Sequence, residues 1–470
     1  MSRGKELMKN TAIIFAGTIL SKAAVFILLP LCTSVLSTEE YGVYDLIFTI
    51  ISLVFPIATF QIEQTVFRDL IDCRDDEEKK KKVISSALFF VFVQCAVCAI
   101  LFLIMSPFIN SQYSVYLLIN IFASIFASLF LQISRGVGNN KLFAIGNFIS
   151  TVVTVLCSAV FLLNFGMKVD GMLLGSFIGQ AVCAIFLLFA LKLPKYIFRK
   201  KAKVSVVRKM LAYSMPLVPN TLSWWVFSSS DRFIVSTLLG FSANGILAAA
   251  SKISSIYTVL YNVFDRSWVE SIIYHYHDKD IEQYFNKTFN MILKIFISLA
   301  LLSISAMPFV YKIFINDKFI DGYWLVPMLL IAAFLNTVQG LIAAVYAAEK
   351  DTKSIAKTSI AAAIINIIVH LGLINFIGVY AAAISTICAY FIIAIYRYFD
   401  VRKKYLKIKI DGKMAIVSLV VLALIMALYY TNSSLSNVIS LMISGMIAII
   451  YNRHTLSFIK GIIMKKKGKI

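Results

Sequence analysis

Six basic side chains stand where basic side chains are costly. Lys22, Arg232, Lys252, Arg266 and Lys294 fall inside apolar stretches long enough to cross a bilayer, and Arg68 closes another. A cation at membrane depth faces a bundle interior or a wet cavity, pairs with an acid, or marks a substrate path. The nearest acids in sequence are Glu63, Asp231, Asp265 and Glu270. Asp265 or Glu270 can pair with Arg266, Asp231 can soften the field of Arg232, and Arg68 and Arg266 lie near enough to a surface to snorkel. Lys22, Arg232 and Lys252 have no acid one helical turn away. Holding an anion is the chemistry these three suggest.

Helical spacing shows which neighbours share a face. Thr221, Trp225, Ser228 and Arg232 form one stripe, and Lys252, Ser255, Asn262 and Arg266 another. Thr18 and Lys22 are one turn apart, and Gln61, Gln64 and Arg68 group together. If the two halves of the chain face each other, these stripes converge on one central cationic cavity. Trp224 and Trp225 suit an interfacial belt or helix packing, with stacking on a sugar ring as the sharper reading of Trp225. Lys294 belongs to no stripe.

Catalysis is not written in the sequence. There is no nucleophile elbow, HExxH or P-loop. Cys95 and Cys98 form a CxxC without a second pair or a nearby His, so the seven cysteines read as small apolar filler. His275 and His277 project to different helix faces. No metal and no cofactor is expected. Transport would run downhill or on a coupling ion, Na+ or H+, because no ATPase domain is present.

The elements that must position these residues are membrane helices. Hydrophobic residues make up 60% of the chain and mean hydropathy is +0.85, far above the roughly 45–50% apolar usage of soluble domains. Stretches of spanning length, about 20 residues, run at 10–36, 40–66, 83–107, 112–134, 142–163, 170–191, 210–240, 245–274, 286–311, 323–348, 355–375, 378–398, 413–431 and 435–452. That predicts an all-α integral membrane protein with fourteen spans. With the N-terminus inside, the inner segments hold thirty-seven of the Lys and Arg residues, and the outer loops only Lys168, Lys312 and Lys318. This asymmetry places both termini in the cytoplasm and explains the net charge of +21 without nucleic acid.

A basic linker at 192–209 separates a first lobe (1–191) from a second (210–400), with 401–470 an added helix pair and basic tail. The lobes read as a duplication. LSTEEYG ending at Gly42 matches LGFSANG ending at Gly245, and Gly171 matches Gly378, at nearly constant offset. Both copies start inside, so the repeat is parallel.

The stretch SMPLVPNTLSWWVFSSSDRFIVSTLLG at 214–240, followed by GILAAASKI, resembles the seventh and eighth helices of the polysaccharide-transporter branch of the multidrug/oligosaccharidyl-lipid/polysaccharide (MOP) superfamily, which includes O-antigen-type flippases. NTAIIFAGTILSKAAVFILLPLCTSVLSTEEYGVYD at 10–45 and QISRGVGNNKLFAIGN at 132–147 carry the same resemblance, over roughly residues 7–400. It implies two six-helix lobes around a cationic cavity, with alternating access. The cargo would be an undecaprenyl-diphosphate-linked oligosaccharide, flipped to the outer leaflet of a bacterial cytoplasmic membrane for O-antigen, capsule, teichuronic acid or exopolysaccharide assembly. Membrane lipids and polysaccharide polymerase or assembly proteins would be the partners. By position, the diphosphate would fall to Lys22, Arg232 and Lys252, with Arg68 and Arg266 at the inner mouth and Asp231 and Trp225 beside them. Lys at 22 offers only a point charge where an arginine would bind in two-pronged fashion. A multidrug or cation antiporter of the same fold and a peptidoglycan-precursor flippase are the alternatives.

Overall fold

The computed structural model describes residues 26–105, 112–196 and 202–467. The expected site residue Lys22 therefore lies outside the described residues. The described chain is helical and divides by its contacts into two compact units, Met1–Gly245 and Ile246–Ile470. The sequence placed the start of a second lobe at 210; by contacts, the helix after the basic linker groups with the first unit.

The first unit holds α1 (Phe26–Val35), α2 (Thr38–Thr59), α3 (Ile62–Asp72), α4 (Glu77–Met105), α5 (Ser114–Gly136), α6 (Asn140–Leu163), α7 (Lys168–Ala190), α8 (Val204–Ser214), α9 (Leu217–Leu238) and the first turn of α10 (Phe241–His275). α2 starts on a capping box. The Ser37 hydroxyl accepts from Glu40 N at 3.1 Å and the Glu40 carboxylate from Ser37 N at 2.8 Å, which satisfies two otherwise orphaned donors. The helix runs through Pro56 and stops at Phe60 and Gln61, both left-handed (φ 46° and 53°). The stretch read from sequence as one span at 40–66 is thus broken, and Gln61 stands in the break rather than on a helical stripe with Arg68.

Beyond the break, Ile62, Val66 and Leu70 of α3 are fully buried at helical spacing. They join the core built with α4, α5 and α7. α7 packs on α6 through Gly175 and Gly179, whose missing side chains admit Ser158 and Thr154, the small-residue route to close packing in membranes.

The second unit holds the rest of α10, α11 (Ile281–Phe314), α12 (Val326–Ala348), α13 (Thr352–Ile377), α14 (Tyr380–Lys404), α15 (Gly412–Thr431) and α16 (Ser434–Lys467). Arg397 of α14 is 3% exposed and binds neutral oxygens: Thr358 Oγ1 at 3.0 and 2.6 Å from Nε and Nη2, and the Gln339 side chain. The C-terminal hairpin is tied to α11 by Ser440 donating to Ser305 (2.8 Å) and Asn452 to Ser298 (3.0 Å). At its turn end, Tyr429 stacks on Tyr323 at 4.5 Å and donates to its carbonyl at 2.7 Å. Between α14 and α15 the chain leaves the helix and pairs with two asparagines of α11. Asn286 donates to Lys407 O and accepts from Lys409 N; Asn290 donates to Lys409 O and accepts from Asp411 N.

Twelve helices among the described residues are long and apolar enough to cross a membrane, against fourteen expected. Of the other two stretches, the first is described only from Phe26. The seventh forms α9, a 22-residue helix too rich in Ser, Asp and Arg to meet the same standard of apolarity.

Candidate substrate-binding site

α2 presents Thr38, Gly42, Asp45, Thr49 and Ser52 at spacings of 4, 3, 4 and 3, one continuous stripe. α9 and the first turn of α10 lie along it. At one end, a Cβ on Gly42 would strike the Phe241 carbonyl, and a Cβ on Gly245 the Thr38 carbonyl. Only glycine permits this crossing. Asn244 donates to Gly42 O at 2.9 Å, and the Thr38 and Ser242 hydroxyls lie 2.7 Å apart. Gly42 and Gly245, matched as repeat partners in the sequence, thus touch in space.

One turn further along, Arg232 Nε of α9 meets Asp45 Oδ2 at 2.7 Å, with the side chains 23% and 9% exposed. Next, the Trp225 indole N–H donates to Ser52 Oγ at 2.9 Å and Thr49 O at 3.2 Å. At the far end the Gln61 amide, aimed by the left-handed break, donates to Thr221 Oγ1. The stripe on α9 is therefore mostly spent: Trp225 and Arg232 bind α2, and Thr221 binds Gln61 in the break beyond it. Ser228 stays exposed, 3.3 Å from the Ser229 hydroxyl.

Arg232 has no acid one turn away on its own helix, and the structure supplies one from α2, Asp45. The missed signal was the spacing of small and polar residues on α2. A lone guanidinium in low dielectric carries a large desolvation cost, which Asp45 offsets. The ion contact engages the Nε edge of a group that offers five donors in all.

The remaining residues fall as follows. Asp231 is half-buried beside Arg232, and Arg68 on α3 is exposed with its guanidinium 4.3 Å from the Tyr213 ring. Nearby, Arg135 lies between Phe67 and Phe143 at 4.4 and 5.1 Å, a second aromatic-backed arginine. In the second unit, Lys252 is half-buried and Arg266 exposed on α10. Asp265, one candidate partner for Arg266, accepts from Tyr261 at 2.7 Å. Lys294 lies 3.6 Å from Asp411 at the start of α15.

A long-helix bundle with a charged pair and small-residue crossings is the architecture of a multi-pass membrane protein. Residues 7–269, more than half the chain, match the family described as Polysaccharide biosynthesis protein. The chain belongs to this family. Its fold is similar to that of a multidrug resistance MATE family transporter of the MOP superfamily in an inward-facing conformation (TM-score 0.69, 14% identity, covering 82% of this chain and 94% of that one). It is equally similar to the lipid II flippase MurJ in an inward closed conformation (TM-score 0.69, 15% identity, 95% and 100%). A Vibrio cholerae MATE transporter shares the fold at TM-score 0.56 and 12% identity, over 85% and 97% of the two chains. No curated protein matches the chain in sequence.

Proposed function

We propose that this protein flips an undecaprenyl-diphosphate-linked oligosaccharide from the cytoplasmic to the outer leaflet of a bacterial cytoplasmic membrane, for assembly of a surface polysaccharide. Family membership supports the cargo class. The observation that carries the mechanism is Arg232, held at 2.7 Å by Asp45 inside an apolar slab. At rest the carboxylate neutralises the guanidinium. An arriving diphosphate offers more charge and a two-pronged acceptor geometry, so it takes over Arg232 while Asp45 falls back on solvent. Alternating access then exposes the anion to the other leaflet, and Asp45 recaptures the arginine as the lipid leaves. In this reading α9 and the helix ending at Val35 also cross the bilayer, which makes fourteen spans with both termini inside.

The test is transport in proteoliposomes of a labelled undecaprenyl-diphosphate oligosaccharide by the native chain and by Arg232→Ala. Flipping by the native chain that is lost in the variant is the expected result; full flipping by the variant sinks the mechanism. Lys22→Ala and Lys252→Ala are the next substitutions in the same assay, and an imposed Na+ or H+ gradient identifies the coupling ion.

A cation antiporter is the second reading, favoured by the Asp45 carboxylate and the likeness to multidrug transporters. Movement of a cationic dye against an ion gradient, with no lipid flipping, would establish it. Flipping confined to labelled lipid II would move the cargo to the peptidoglycan precursor.

A further inference from the structure

Lys294 belongs to a second cationic cluster, far along the chain from Arg232. With Lys413 and Arg453 it rims a cleft of about 380 Å³ in the second unit, floored by Met414, Val417 and Ile450. The three cations come from three helices, and hydrogen bonds hold those helices in register. The Tyr451 hydroxyl donates to Met414 O at 3.2 Å and lies 3.0 Å from Ser418 Oγ, which joins α16 to α15. Asn452 donates to Ser298, which joins α16 to α11.

Two apolar runs end at this level. The apolar run of α15 begins at Gly412 and that of α16 ends at Arg453, so the cations ring the place where both helices leave the hydrocarbon. One acid lines the cleft. Asp411 accepts from Met414 N at 3.2 Å as the cap of α15 and lies 3.6 Å from Lys294, leaving the cluster with a surplus of two positive charges. The floor is not closed over: Val417 is 43% and Ile450 54% exposed.

Cations at the boundary above an exposed apolar track match a molecule with an anionic head and an acyl tail. Basic pockets between membrane helices are where anionic headgroups dock. We propose that this cleft binds one anionic phospholipid, its phosphate held by Lys294, Lys413 and Arg453 and an acyl chain lying on Val417 and Ile450. The neighbouring cleft around Lys279, Lys287 and Lys409 lacks this character, because Asp280, Glu282 and Asp411 line it too. The proposal rests on the chain's being a membrane protein and is independent of its cargo.

The test is thermal unfolding of the purified full chain in neutral detergent, titrated with phosphatidylglycerol, with phosphatidylcholine of the same acyl chains, or with inorganic phosphate. Phosphatidylglycerol should raise Tm saturably, and the other two should not. Each surface cation contributes an amount equal to about five-fold in affinity, so Lys413→Gln and Arg453→Gln should each raise the half-saturating lipid concentration about five-fold. Lys413→Arg should leave it unchanged and serves as the folded control. Lys279→Gln/Lys287→Gln should respond as the native chain. Equal stabilisation by phosphatidylcholine, a matching shift with phosphate alone, or equal loss in the Lys279/Lys287 variant would each overturn the proposal.

Discussion

Asp45 decides how the loss of each member of its pair is felt. Removing one partner of a buried ion pair leaves an uncompensated charge, at a cost of about 3–5 kcal/mol, reduced here because the Arg232 side chain is 23% exposed. Asp45→Ala should therefore lower the unfolding temperature more than the double variant Asp45→Asn/Arg232→Gln, in which no charge remains. Equal destabilisation in thermal unfolding would show that the two residues do not share one interaction. Arg232 was legible in the sequence because a charge in an apolar run stands out. Its partner was not, because a search for acids one turn away inspects only the same helix, and Asp45 comes from another. Lys294 was ambiguous for the same reason: Asp411 follows it after three intervening helices, α12 to α14, and an extended link.

The helices themselves were largely readable, since apolar runs of spanning length leave little choice of backbone in lipid. The break between α2 and α3 was not. Phe60 and Gln61 take left-handed dihedrals without glycine, and Pro56, the obvious breaker, sits inside the helix. Asp351 caps α13 by accepting from Ser354 N at 3.1 Å, and it also accepts from the Tyr405 hydroxyl at 2.8 Å. Its carboxyl is held below the ordinary carboxylate range by bonds to Ser354 first and then Tyr405. A depressed folded-state value means the contribution is complete above the ordinary carboxylate pKa and disappears as pH falls through the depressed one. Thermal stability of the native chain should thus fall in acid more steeply than that of Asp351→Asn. Parallel acid profiles for the two proteins would remove Asp351 from the account.

At the scale of the whole chain, hydropathy and the loop charges were enough to assign a multi-pass membrane protein, and the family match agrees with the residues that carried the resemblance. The grouping of α9 with the first unit was hidden, because duplication in sequence predicts where a copy begins and not which neighbour it packs on. The asparagine pairing between α11 and the link from α14 to α15 has one more consequence. Asn286 and Asn290 are four helical residues apart, about 6 Å, and they grip Lys407, Lys409 and Asp411 at steps of two, each about 6.6 Å when extended. Helix and link are therefore commensurate, like the teeth of a rack on its pinion. Inserting one glycine after Ile408 should throw the link out of step and cost folded yield, whereas inserting one after Lys403, before the teeth engage, should be absorbed. Fluorescence-detected size-exclusion profiles of the two insertions would tell them apart, and equal profiles would mean the link is only a tether. If the teeth do engage, the spacing of two amides on one helix sets the length of a connection more than a hundred residues downstream.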